Sequence, residues 1–316
     1  MGRTEYDPVR KKAIRKRTIL SALMIFIAVP ALLMLSVMMG NGQHYMIISL
    51  AVVICCMLPF FLVFEKRKPK AREIVLVAMM SAITVAAHMF FHVTVPIQIG
   101  TAMVIVAGIA MGPEAGFLVG ALSRFVCNFY MVQGPLTPWH MFCWGLMGFL
   151  AGLSFNKVEA SQNKEKVKSR DFTVVMGPVL CVAASEVVAY VICLITGWKL
   201  FQEAAWLVYV CGVLGLLAGV LLQRKRLPVD HITLTVFTFF TTVILYGGII
   251  NMQSFFNTAG IPGSGGLSWE TLRILYLSGR PYDISHGLAA GLCVFLIGDP
   301  MIRKIERIKI KYGIYK

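Results

Sequence analysis

Ten apolar stretches recur along the 316-residue chain, at about 19–38, 45–64, 72–91, 98–111, 114–131, 138–155, 172–197, 205–222, 231–251 and 283–300. Stretches of ~18–22 residues match the ~30 Å hydrocarbon thickness of a bilayer at 1.5 Å rise per residue. Lipid offers backbone amides no partner, so each span must satisfy its own hydrogen bonds as a helix. The runs do not alternate, which excludes a β-barrel. Charge then orients the bundle. Of 30 Lys and Arg residues, 26 fall in 1–18, 65–72, 156–170, 223–229 and 301–316. With ten spans these five stretches share one face, and that face is cytoplasmic. The sequence thus predicts an all-α, polytopic, multi-pass protein of the cell membrane with both termini in the cytoplasm.

The net charge of +15 is explained by these flanks, which also attract anionic lipid headgroups. It does not call for nucleic acid. All eight Cys lie within spans, so no disulfide framework is implied, and no Cys/His cluster has zinc-ligand spacing. The start, RKKAIRKR followed by an apolar run, resembles a leader. A second span follows after a short turn, so a retained helical hairpin is expected.

The predicted organisation is a two-span hairpin at 1–70, then a unit at 71–316. Within that unit, helices at about 72–155 and 231–301 are interrupted by a pair at about 172–222. The longest outer loop is read at 252–282. Its Gly/Pro/Ser half is a mobile stretch. Its half SWETLRILYL is a short helix with Ser268 as N-cap, and the whole suits a lid. The tail RKIERIKIKYGIYK is read as an amphipathic helix on the inner surface.

Four outer junctions combine aromatic and hydrogen-bonding residues: HMFFHVTVP, NFYMVQGPLTPWHMFCWG, YGGIINMQSFFN and GRPYDISHG. Aromatic walls with a few convergent polar groups suit a small organic ligand. The expected pocket residues are His92, Arg124, Asn128, Tyr130, Gln133, Thr137, Trp139, His140, Asn251, Phe255, Tyr282, Asp283 and His286. Arg124 is the one basic residue inside a span, where a charge must be paired or functional. Glu186, the one acid deep in a span, is its expected partner. A structural ion pair and a substrate role both fit this residue.

Ala78, Ala82 and Ala86 recur every four residues and give one smooth helical face. Such a face packs closely on another helix, either within the chain or on a partner protein. Gly108, Gly112, Gly116 and Gly120 follow the same spacing. GPEAG breaks that run into two short antiparallel helices packed through their glycines.

No phosphate-binding G-x-x-x-x-G-K-[ST], HExxH or G-x-S-x-G motif occurs, and no paired carboxylates lie in adjacent spans. The chain is therefore not expected to be an enzyme, and no catalytic residue, metal ligand or cofactor is predicted. A stand-alone secondary transporter would carry more midplane charge and an inverted repeat.

Three segments resemble the S component, the substrate-binding membrane subunit of energy-coupling factor (ECF) vitamin importers. AMMSAITVA looks like that family's docking motif, and GIAMGPEAGFLVGALSRF like its glycine-rich turn. NFYMVQGPLTPWHMFCWGLMGFLAG is similar to S components of the cobalamin type. YGGIINMQSFF and RPYDISHGLAAGL look like that group's last two helices. The resemblance covers about 71–155 and 231–305 and implies a six-helix core to which 1–70 and 172–222 are additions. It further implies a vitamin substrate, cobalamin or a related corrinoid, bound from outside. The partners it implies are a transmembrane coupling protein and two ATPase subunits, met through Ala78, Ala82 and Ala86. The alternatives are a secondary transporter of a small organic solute, or a membrane enzyme.

Overall fold

The computed structural model describes residues 24–32, 51, 54, 71–94, 99–131, 133–155, 172–198, 205–222, 227, 229–259 and 268–312. Most of the predicted hairpin at 1–70 and the loop at 156–170 lie outside them, as does the Gly/Pro/Ser stretch at 260–267.

The described residues are helical, apart from a single bridge pairing Phe155 with Leu227. After a π-helical turn at Met24–Ala28, the helices are α1 (Ala71–Thr94), α2 (Ile99–Met111), α3 (Pro113–Tyr130), α4 (Thr137–Ser154), α5 (Phe172–Thr196), α6 (Ala205–Leu222), α7 (His231–Phe240), α8 (Gly247–Ala259) and α9 (Trp269–Lys311). A π-helical segment, Thr241–Tyr246, joins α7 directly to α8. Two stretches, Ala71–Phe91 and His231–Thr258, are long and apolar enough to cross a membrane by length and composition. Among the described residues the helical content is consistent with a helical membrane protein.

The centre is a crossing of α2, α3 and α4. A Cβ on Gly116 would stand 2.7 Å from the Gly148 carbonyl oxygen, and one on Gly152 would stand 2.7 Å from that of Gly108. Only glycine permits this approach. Gly112 works differently: its surroundings are open, but its φ of 104° reverses the chain between α2 and α3. Three of the four spaced glycines therefore pack, while the fourth turns.

Around this crossing, α7 and α9 pack side by side, α9 lies along α2, and α1 covers α2 and α3. The pair α5 and α6 packs mainly on itself and meets the other helices through α6. Its seam runs through Ala189, Cys193, Leu207 and Cys211.

Two boundaries differ from the sequence expectation. The outer loop read at 252–282 is largely helical. The ninth span continues to Ala259, and the expected lid helix is the first part of α9, whose 43 residues also take in the last span and most of the tail. Ser268 does cap it, accepting from the Thr271 amide at 3.2 Å. Buried residues Leu272, Tyr276, Asp283, His286, Ala290, Val294, Gly298, Ile302 and Ile305 follow one helical face along its whole length. That continuous seam carries the helix through Pro281 and Pro300. At ~1.5 Å per residue it is ~64 Å long, more than a bilayer core requires.

Candidate functional site

Helices α1, α2, α3, α4, α8 and α9 bring polar residues together near the ends predicted to face outward. Arg124 of α3 is at the middle. Its Nη1 donates to His88 Nε2 of α1 at 3.2 Å, and its Nη2 donates to His140 Nδ1 of α4 at 3.1 Å. A guanidinium can only donate, so both imidazole nitrogens accept and the rings face it as uncharged tautomers. The guanidinium carbon lies 5.2 Å from the Trp144 ring centre, in cation–π range, and His88 meets that ring edge-on at 4.9 Å.

A second layer continues from His140. Its ring lies nearly parallel to Tyr246, with centroids 5.8 Å apart and planes 5° apart. Tyr246 packs edge-on against His286 at 4.7 Å, and His286 Nε2 is 3.0 Å from Thr101 Oγ1 of α2. Tyr246 ends the π-helical segment. The extra residue of a π-turn rotates everything beyond it, which sets the register at which Tyr246 meets both histidines. The layer continues where Asn251 Nδ2 donates to Asp283 Oδ2 at 2.8 Å, and Tyr276 donates to the Gly248 carbonyl at 2.9 Å.

The loop from α3 to α4 is tied down at Thr137. Its hydroxyl accepts from Asn128 Nδ2 at 2.7 Å and from the Gly134 amide at 3.1 Å, while Gln133 donates to the Phe125 carbonyl at 3.3 Å. Several buried polar atoms in this region have no hydrogen-bond partner: Arg124 Nε, Asn128 Oδ1, Gln133 Oε1, Trp144 Nε1 and His286 Nδ1. Buried groups of this kind are costly unless a ligand or water completes them.

An apolar cavity of about 400 Å³ adjoins the polar layer, lined by Trp139 and Phe142 of α4, Val213 of α6, Ile249 and Phe256 of α8, and Tyr276 of α9. Trp139 precedes His140, Ile249 is two residues before Asn251, and Tyr276 is on the helix of Asp283, so the cavity and the polar layer share three helices.

Of the residues expected from sequence, Arg124, His140, Asp283, His286 and Asn251 lie in the polar layer, and Asn128, Gln133 and Thr137 brace the loop above it. Trp139 lines the cavity. Phe255 packs with Met252 on the outer cluster of Leu272 and Tyr276. Tyr282 is 57% exposed, with its ring 6.2 Å from His286. Tyr130 is 72% exposed. The side chain of His92 lies outside the described residues.

The expected pairing of Arg124 with Glu186 is corrected. Glu186 sits on α5, with its carboxylate beside Gly212 of α6 and in the electrostatic neighbourhood of Arg280. The pair α5 and α6 stands to one side, so Arg124 takes two histidines instead. The residues missed by sequence reasoning are Thr101, Trp144, Tyr246 and Tyr276, together with the role of His88. A signal for His88 was present: Ser81, Thr84 and His88 form a polar stripe on the buried face of an otherwise apolar span. The opposite face of α1 is exposed at Ala78, Met79, Ala82, Ile83 and Ala86.

Residues 68–223 match the family model described as ECF-type riboflavin transporter, S component. No curated protein and no solved structure matches the chain. The matched segment runs from α1 through α6 and stops before α7. It includes the 172–222 pair that the resemblance set outside the core, and its description names riboflavin rather than a corrinoid. The match supports an S component of an ECF transporter, a class of membrane transport subunit and not an enzyme family.

Proposed function

We propose that this chain is the substrate-binding subunit of an ECF-type vitamin importer, crossing the cell membrane about ten times with both termini inside. The observation that carries the reading is the division of labour on α1. One face is buried and ends at His88, beside Arg124 and Trp144. The other presents the small exposed side chains Ala78, Ala82 and Ala86. Lipid needs no smooth surface, whereas close approach of a second helix does. The absence of a phosphate-binding motif in the sequence fits a protein that borrows its ATPases.

In this reading the vitamin enters from outside, sets its polar groups against Arg124, His140, Tyr246 and Asp283, and fills the adjoining apolar cavity. The alanine face then docks on the coupling protein. The segment at 128–152 favours a corrinoid, and the family description favours riboflavin. Both absorb visible light, so one experiment separates them. The protein is purified in detergent, and its absorption spectrum and the mass of any bound small molecule are recorded. A corrinoid or flavin spectrum in near one-to-one amount identifies the substrate. Uptake is measured in parallel: Ala82→Arg is expected to abolish transport and leave binding intact. Loss of binding in that variant would refute the division of α1 into a binding face and a docking face.

A further inference from the structure

We infer that the substrate of this site carries an anionic group, a carboxylate or phosphate oxygen, which takes the Arg124 guanidinium as its counter-charge. This inference rests on the proposed binding function and adds the chemical class of the ligand.

Arg124 holds a permanent charge inside an apolar helix bundle. The group is half-buried, and a cation withdrawn even partly from water is costly unless an anion compensates it. Among the described residues no carboxylate forms an ion pair with it; Asp299 pairs with Arg303, and Glu306 with Lys309. The candidate acid from sequence, Glu186, is on the side pair. The acid within the layer, Asp283, is held by Asn251. What Arg124 does touch is uncharged: two imidazole acceptors and the face of Trp144.

Two of the unfilled hydrogen bonds have the matching sign. Arg124 Nε and Trp144 Nε1 are donor-only groups, buried and without an acceptor. His88 and His140 hold the two Nη atoms and thereby fix the plane of the guanidinium. A rotationally fixed guanidinium with its Nε–H and the second hydrogen of each Nη left open selects a planar or tetrahedral oxyanion over a neutral carbonyl. The arrangement resembles a preformed receptor for a charged head whose apolar remainder occupies the cavity beside Trp139 and Ile249.

The test compares matched probes by calorimetric titration of the purified full-length protein. The pairs are riboflavin 5′-phosphate with riboflavin, biotin with biotinamide, pantothenate with pantothenol, and cyanocobalamin with cobinamide, which lacks the phosphodiester. The expected result is one pair whose anionic member binds at least tenfold more tightly. That preference disappears in Arg124→Gln and survives in Arg124→Lys. Because the preference is read first on the unaltered protein, a variant that fails to fold does not spoil the test. Equal or tighter binding of the neutral member in every pair that binds would overturn the inference and leave the binding function standing. Binding of none of the eight would overturn both.

Discussion

Replacing Gly120 by alanine adds one methyl group where α3 crosses α4. Its Cβ would stand 2.5 Å from the carbonyl carbon and oxygen of Trp144 and 2.7 Å from the Gly145 nitrogen. Ordinary contact begins near 3.4 Å, and backbone cannot rotate aside as a side chain can, so the helices must part by about 0.9 Å. Arg124 lies one turn further along α3, and its bond to His140 bridges the same two helices at 3.1 Å. That bond opens to about 4 Å, beyond hydrogen-bonding range. Overpacking costs ~1–3 kcal/mol, and a lost hydrogen bond to a charged group costs ~1.5–3 kcal/mol. A loss of ~2.5–6 kcal/mol lowers Tm by roughly 4–9 °C for a chain of 316 residues. The assay is thermal unfolding of the purified protein followed by tryptophan fluorescence. Gly134→Ala is the control, since no atom lies within 4 Å of its added methyl. A Gly120→Ala protein that unfolds within about one degree of the unaltered chain, on the error scale of such scans, would refute the reasoning.

Asn251→Leu removes the donor to the buried Asp283 carboxylate; a stability loss of ~1.5–3 kcal/mol is expected in thermal unfolding, together with weaker ligand binding by calorimetry. Tyr246→Phe keeps the stack on His140 and the edge contact with His286, so its Tm should stay close to the parent, whereas Tyr246→Ala leaves a void costing ~3–5 kcal/mol. At the other end of the bundle, Lys309 donates to the Ala110 carbonyl and pairs with Glu306 at 2.6 Å. Lys309→Met should cost ~2 kcal/mol by leaving that acid without its cation, and adding Glu306→Leu should recover part of the loss in the same thermal assay.

How far the sequence carried the reading depended on how local the cause was. The helices at 172–196 and 205–222 follow from apolar length alone, and the turn at Gly112 from a break in a regular small-residue pattern. The Ser268 cap is equally local, since a serine before a helical run needs only its own amide three residues on. The partner of Arg124 is not local. Composition offered one deep acid, Glu186, but which helix faces α3 is decided by packing, and packing put α1 and α4 there. Tyr246 was hidden for another reason: a π-turn has no strong residue signature, and Thr241, which back-bonds to the Phe237 and Thr238 carbonyls within it, reads as one more threonine in an apolar span. Nor does sequence join the lid to the last span, because Gly279 and Pro281 look like a break. The apolar seam on either side holds the helix continuous through them.

That continuity bears on how binding at one end of the bundle is felt at the other. The helix α9 carries Asp283 and His286 in the polar layer, and two to three turns below His286 it carries Val294 and Gly298 through the core. At its far end the Lys309 ammonium caps the α2 carbonyl of Ala110, and the Tyr312 carbonyl accepts from Arg72 at the start of α1 at 2.8 Å. The helix α1 is therefore held at both levels: His88 through Arg124 above, and Arg72 through α9 below. A ligand that draws Arg124 toward itself acts on His88 directly, and on α9 through His140, Tyr246 and His286. Both routes end on the helix whose other face carries Ala78, Ala82 and Ala86. In the proposed function, the helices shared between the two surfaces would connect occupancy of the site to presentation of that face.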